Sequence, residues 1–228
     1  MIRKDREDLA IKIFRAGCVE TSATGFPLNL HRNNPGAPPS PIYFNTRTKD
    51  HPTKPGPVTQ ELLQEIDLHL GNLIEEDRIE FNCFAGVPYA ANPFAEGLAR
   101  RFGKKLIVLE KEPVRDSNRT VIRKILGKHP PAGSNVLLVE NMLTRGGSAI
   151  EAAEFLLMAC CPSPHLCTII DWDGGAKKRF ERAQLPMGIH SLFVVSDLID
   201  FYERKGFVDR KLKERALDFA QFLRGLPG

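Results

Sequence analysis

The sequence predicts an α/β fold with a central, mostly parallel sheet flanked by helices. Short apolar runs such as Val136 to Val139 and Leu166 to Ile170 end in polar or glycine residues, as strands buried on both faces do. Stretches with apolar residues at helical spacing lie between the strands, as with Leu62, Ile66, Leu70, Leu73 and Ile74. Strands alternating with helices along one chain are best covered when the helices pack on both faces of a parallel sheet.

The elements follow in order. Residues 5–16 place Leu9, Ala10, Ile13 and Phe14 on one face and predict an amphipathic helix ended by Gly17. Val19 to Leu30 has no clear period. Arg32 to Pro41 contains four prolines and reads as loop, and Ile42 to Phe44 as a short strand. Pro57 introduces a helix of about 18 residues. A strand at Ile79 to Phe84, a tight turn at Ala85 to Pro93 and a helix at Phe94 to Arg101 come next, then a strand at Lys105 to Leu109. Glu110 to Asn135 is polar and too long for a simple strand-to-helix connection, so a mobile loop is expected there, carrying Lys111, Arg115, Arg119, Arg123, Lys124 and Lys128. Beyond Val139 the pattern gives a helix at Ile150 to Met158, a strand at Leu166 to Ile170 and a helix at Lys177 to Ala183. A strand at Ile189 to Val195 and helices at Asp197 to Arg204 and Asp209 to Leu223 complete the chain.

At 228 residues, 42% of them hydrophobic and 26% charged, the chain can bury one substantial core, and a single domain over residues 1–228 is expected. A net charge of +4 and a pI near 8.8 suit an anionic small molecule. No dense basic stripe with interleaved aromatics argues for nucleic acid, and no apolar run reaches the length of a membrane span. Cys18, Cys83, Cys160, Cys161 and Cys167 lack metal-ligand spacing and read as reduced packing residues of a cytoplasmic protein. The six histidines form no recognisable pair or metal spacing.

The stretch Val136 to Ala149, VLLVENMLTRGGSA, carries the chemistry. Glu140 and Asn141 stand where a strand gives way to a loop, and can accept hydrogen bonds from sugar hydroxyls. Thr144, Arg145, Gly146, Gly147 and Ser148 follow directly before a helix. Free N–H groups and the positive end of the helix dipole favour an anion there, and the glycines let the backbone close round a phosphate. The residues alone leave two readings open: a ribose phosphate cradle, or an ordinary turn with Ser148 as the helix N-cap.

Apolar strand, acidic pair and Thr-x-Gly-x-Ser loop resemble the phosphoribosyl pyrophosphate (PRPP) motif of type I phosphoribosyltransferases, with Asn141 in place of the second acid. Other segments resemble the orotate phosphoribosyltransferase branch of that family. Ser40 to Asn45 is similar to its base-contacting segment, which implies base-binding roles for Tyr43 and Phe44. Gly86, Val87, Pro88, Tyr89 and Ala90 are similar to its pyrophosphate turn. Lys111 with Glu112 resembles the start of its catalytic loop, and Val195 to Tyr202 its C-terminal helix entry. The resemblance implies a small N-terminal hood (residues 1–57) on a core (residues 58–228). It also implies a homodimer, Mg²⁺ carried by PRPP without a dedicated protein metal site, and transfer of phosphoribosyl to a base with Lys111 and Arg115 as catalytic cations.

Four further departures bear on function. Ala90 stands where the family has Lys, Glu110 where its loop has Arg, Val114 at the second loop Lys, and Trp172 where an Arg grips a base carboxylate. Trp172 reads either as a stacking platform for a different base or as a packing residue. Lost cations with a kept phosphate loop also fit a non-catalytic sensor of PRPP or a nucleotide. No G-x-G-x-x-G follows a strand and no G-x-S-x-G is present, so a dinucleotide enzyme or a hydrolase has no support.

Overall fold

A computed structural model describes residues 1–32, 34–115 and 120–227. Helix α1 (Glu7–Arg15) leads into β1 (Val19–Phe26) and β2 (Ser40–Phe44), which pair antiparallel as a separate two-stranded sheet. The predicted first helix is thus present, preceded by a short 3-10 turn, Lys4–Arg6. Strand β1 is hidden in the sequence because its residues, VETSATGF, are mainly small and polar, are half of them exposed, and carry no apolar alternation.

Helix α2 (Gln60–Glu76) is capped by Thr59, whose hydroxyl accepts from Leu62 N at 3.3 Å. Then come β3 (Cys83–Gly86), α3 (Asn92–Phe102), β4 (Lys105–Pro113), β5 (Thr120–Leu126), β6 (Val136–Leu143) and α4 (Gly147–Met158). The remaining elements are β7 (His165–Asp171), α5 (Ala176–Arg182), β8 (Gly188–Val194), α6 (Val195–Arg204) and α7 (Arg210–Gly225). The main sheet has the order β5-β4-β3-β6-β7-β8, parallel throughout except that β5 runs antiparallel to β4.

Strand β6 is central and buried from Val136 to Glu140, and its apolar residues alternate between two cores. Leu137 and Val139 join the face covered by α2, α3 and α6, while Val136 and Leu138 join the face covered by α4 and α5. Each such side chain contributes roughly 1.5–3 kcal/mol of burial. This double burial is why the run is continuously apolar.

The expected loop at Glu110 to Asn135 is corrected. Strand β4 continues to Pro113 and turns back as β5, with Lys111 opposite Ile122 and Pro113 opposite Thr120. Ile122 and Ile125 pack against Ile107 and Leu109, while Arg123 and Lys124 face water, so one half-buried edge strand was masked by its charged residues. Residues 116–119, which include Arg119, lie outside the described residues.

Candidate active site

The parallel strands bring their carboxyl ends to one edge of the sheet, where ligands of such folds sit. A cleft of about 1470 Å³ opens there, bounded by the ends of β3, β4 and β6, the loop before α4, and the segments on either side of β2.

Strand β6 runs further than the apolar pattern suggests and carries both polar positions within it. Glu140 is buried and its carboxylate accepts from Asn141 N at 3.0 Å. Burial pushes this carboxyl up to about 8, against the backbone amide of Asn141 and the Lys111 ammonium, which both favour its charged form. The side-chain amide of Asn141 donates to Thr46 Oγ1 at 2.8 Å.

The loop that follows is shaped by two glycines for different reasons. Gly146 lies in the left-handed region at φ 70°, and a Cβ there would stand 2.7 Å from the Phe180 ring. Gly147 begins α4 with room for a side chain, since an added Cβ would make only an ordinary contact, 3.7 Å to Arg179 Nη1. No side chain caps this helix, and its first internal bond runs from Ile150 N to Gly146 O. Ser148 therefore lies inside the helix rather than at its cap, and a helix start with no side-chain cap is one that favours an anion.

Opposite, Gly86 ends β3 where an added Cβ would meet Asn92 Oδ1 at 2.7 Å. Val87 N still bonds Val139 O at 2.9 Å, which ties the Gly86 to Ala90 turn to β6. The Pro88–Tyr89 peptide is cis. Tyr89 Oη donates to the Lys111 carbonyl at 3.3 Å, so turn and β4 share one wall of the cleft.

Residues 58–192 match the family model for the phosphoribosyl transferase domain. The chain belongs to this family. Among relatives, it is 35% identical to the orotate phosphoribosyltransferase of Methanoculleus marisnigri over 133 residues, 58% of this chain and 72% of that one. It is 25% identical to uridine 5'-monophosphate synthase of Caenorhabditis elegans over 171 residues, 74% of this chain but 32% of that one. In fold it is similar to Leishmania donovani UMP synthase, with a TM-score of 0.72, 20% identity, and coverage of 95% of this chain and 42% of that one. Orotate phosphoribosyltransferase from Aeropyrum pernix gives 0.65 and 20% identity, covering 88% and 99%.

Most of the expected site residues border one cleft: Val87 to Ala90, Lys111, Glu140, Asn141, Thr144 to Ser148 and Trp172 from the matched domain, and Tyr43 and Phe44 from the segment before it. Others depart from expectation. Arg115 is exposed just past the end of β4 and is not among the cleft residues. Arg145 borders the cleft, but its Nη2 donates to the carbonyls of Leu226 and Pro227. Of the two readings of Trp172, packing is the one observed. The indole is 1% exposed and sits edge-on between Phe44 (5.7 Å) and Phe219 (5.3 Å), so its face is closed to a base. Phe44, 2% exposed, is committed to the same cluster, which leaves Tyr43 as the half-buried aromatic of the pair.

Sequence reasoning missed Arg47. Its Nη1 donates to Tyr43 Oη at 2.6 Å and to Asn45 Oδ1 at 3.3 Å, and with Lys54 it flanks the Tyr43 ring at the cleft. Its place two residues after the Ser40 to Asn45 segment was the available signal. Among the described residues no group of three or more His, Cys, Asp or Glu side chains is arranged to hold a metal ion.

Proposed function

We propose that the chain binds PRPP and transfers its phosphoribosyl group to a nitrogenous base with release of pyrophosphate, as an orotate-phosphoribosyltransferase-like enzyme. The observation that carries this is the uncapped start of α4 at Gly146 and Gly147, a short loop after Glu140, in a cleft that the Val87 to Ala90 turn also lines. Family membership supports PRPP-based phosphoribosyl transfer. The relatives' names point to orotate as the first base to try.

In this reading Thr144 to Ser148 hold the 5′-phosphate with backbone N–H groups and hydroxyls, and Glu140 with Asn141 orients the ribose hydroxyls. The turn at Gly86 to Ala90 receives the diphosphate. Lys111 supplies positive charge where charge develops on the leaving group, and preorganised charge in a partly closed cleft is worth more than in water. Tyr43 and Arg47 border the base side. Mg²⁺, when bound, neutralises the diphosphate. Glu140 is buried and Glu151 accepts from Ile122 N, so the available donors fit a metal that arrives on PRPP oxygens rather than in a protein cage. The proposal extends to one domain with residues 1–57 as a hood, a cytoplasmic homodimer, and no nucleic acid or membrane partner. No helix among the described residues is long and apolar enough to cross a membrane.

A second reading, a PRPP- or nucleotide-binding sensor, is favoured by the position of Arg115 outside the cleft and by Ala90 in the turn. Incubating the protein with PRPP, Mg²⁺ and a panel of bases separates the two. Pyrophosphate release with one base supports transfer, and PRPP binding without release for any base supports the sensor.

A further inference from the structure

A second, smaller cavity of about 170 Å³ lies behind the Thr144 to Ser148 loop, between α5 and the end of α7. Five cationic side chains border it: Arg145, Lys178, Arg179, Arg182 and Arg224. Among the described residues a single carboxylate ion-pairs with this group, Asp173 with Arg224 Nη1 at 2.8 Å. The other contacts orient the cations without neutralising them. Arg179 Nη1 donates to the Arg145 carbonyl at 2.8 Å, and Arg145 Nη2 to the carbonyls of Leu226 and Pro227. Arg145 Nε is buried and has no partner among the described residues, although buried polar groups are nearly always satisfied. Burial and the neighbouring Arg179 and Arg182 lower the Arg145 pKa, the direction expected of a cation held among cations.

A cluster held this way, round a hollow rather than spread over a convex surface, is arranged for an incoming anion. The hollow is small, which excludes a nucleotide but accommodates one tetrahedral group with its hydration. Guanidinium forks match phosphate oxygens with two parallel N–H bonds each. We propose that this cavity is an anion subsite, separate from the Thr144 to Ser148 loop, that takes a tetrahedral oxyanion of the phosphate class. Lys178, Arg182 and Arg224 border the small cavity and not the main cleft, whereas Arg145 and Arg179 border both. Arg145 and Arg179 are therefore the shared wall. An anion drawn to Arg145 and Arg179 from behind places negative charge close to the loop. It weakens PRPP there, a consequence that rests on the function proposed above although the subsite itself does not.

The test is a titration of the full chain with inorganic phosphate at constant ionic strength, followed by backbone amide NMR shifts. Gly174, Gly175 and Leu226 report the small cavity, and Gly147 and Ser148 report the loop. Two variants separate the sites. Gly147→Asp places a carboxylate in the loop, and the double variant Lys178→Glu, Arg182→Glu reverses the charge of two exposed side chains that border only the small cavity. The expected result is that the cavity amides titrate in wild type and in Gly147→Asp, and that the double variant weakens their response at least about tenfold while leaving the loop amides responsive. Cavity amides that do not move in wild type, or that move equally in the double variant, overturn the proposal. A parallel titration with ribose 5-phosphate identifies the source: a comparable response of the cavity amides marks a phosphorylated ligand, and a response to inorganic phosphate alone marks the free ion. Failure of PRPP binding at the loop leaves the cavity amides unaffected, so the two readings fail separately.

Discussion

The side-chain amide of Asn141 donates to Thr46 Oγ1 at 2.8 Å and joins the end of β6 to the segment just after β2. Thr46 is fully buried, so the bond is shielded from water and the two-stranded N-terminal sheet is fixed over the cleft at this point. An amide at position 141 can donate this bond as an ionised acid cannot, and this gives the Asn a structural use. Asn141→Ala and Thr46→Val are each expected to cost about 0.5–1.5 kcal/mol, with the double variant losing less than the sum. Urea unfolding of the four proteins measures the coupling, and strict additivity would show that the bond contributes nothing.

Gly146 and Gly147 are expected to respond oppositely to substitution. Gly146→Ala forces a Cβ into the left-handed region and against Phe180, at a cost of about 1–3 kcal/mol and a displaced loop. Gly147→Asp meets only an ordinary contact with Arg179 Nη1 at 3.7 Å and places a carboxylate at a helix start beside that cation, where it is favourable, so the fold is kept. Thermal unfolding of both variants checks the contrast.

Glu140 makes stability depend on pH in a direction unusual for a carboxylate. Its folded-state pKa, about 8, lies above the ordinary value of 4.5, so the folded protein holds a proton that the unfolded chain releases. The contribution is complete below about 4.5 and is lost as pH rises through about 8. Glu140→Gln, permanently neutral, gains on wild type across that window by roughly 1–4 kcal/mol. Asp67 and Asp171, raised by burial to about 8 and about 6, carry the same sign in both proteins and cancel in the comparison. Melting temperatures of the pair from pH 4 to 9 report the effect, and a constant difference would refute it.

Trp172 tests whether the missing guanidinium can be restored. Removing the buried indole by Trp172→Ala is expected to cost about 3–5 kcal/mol. Trp172→Arg puts an unpaired charge between Phe44 and Phe219, so it is expected to be at least as destabilising and to gain no orotate transfer. Unfolding together with an orotate assay checks both, and a stable, orotate-active Arg variant would mean that the aromatic cluster opens.

How far the sequence could be read depended on burial. Strand β6 was legible because Val136 to Val139 are buried on both faces and leave no polar interruption, and the Gly146 and Gly147 loop because its composition suits only a few backbone shapes. Strand β5 was not legible, since its two buried isoleucines sit among charges that an exposed edge tolerates. The same limit applied to side chains in the cleft. That Trp172 would be closed between β2 and α7, that Arg145 would be tied to Leu226 and Pro227, and that Arg47 would stand beside Tyr43 all depend on segments distant in the chain. Such contacts leave no local pattern to read.

The most direct measurement is a calorimetric titration of wild type and Gly147→Asp with PRPP in the presence of Mg²⁺. The account predicts saturable binding by wild type and loss of that binding in a variant that melts at the wild-type temperature. No binding by wild type, or equal binding by the folded variant, would contradict the assignment of Thr144 to Ser148 as the phosphate cradle.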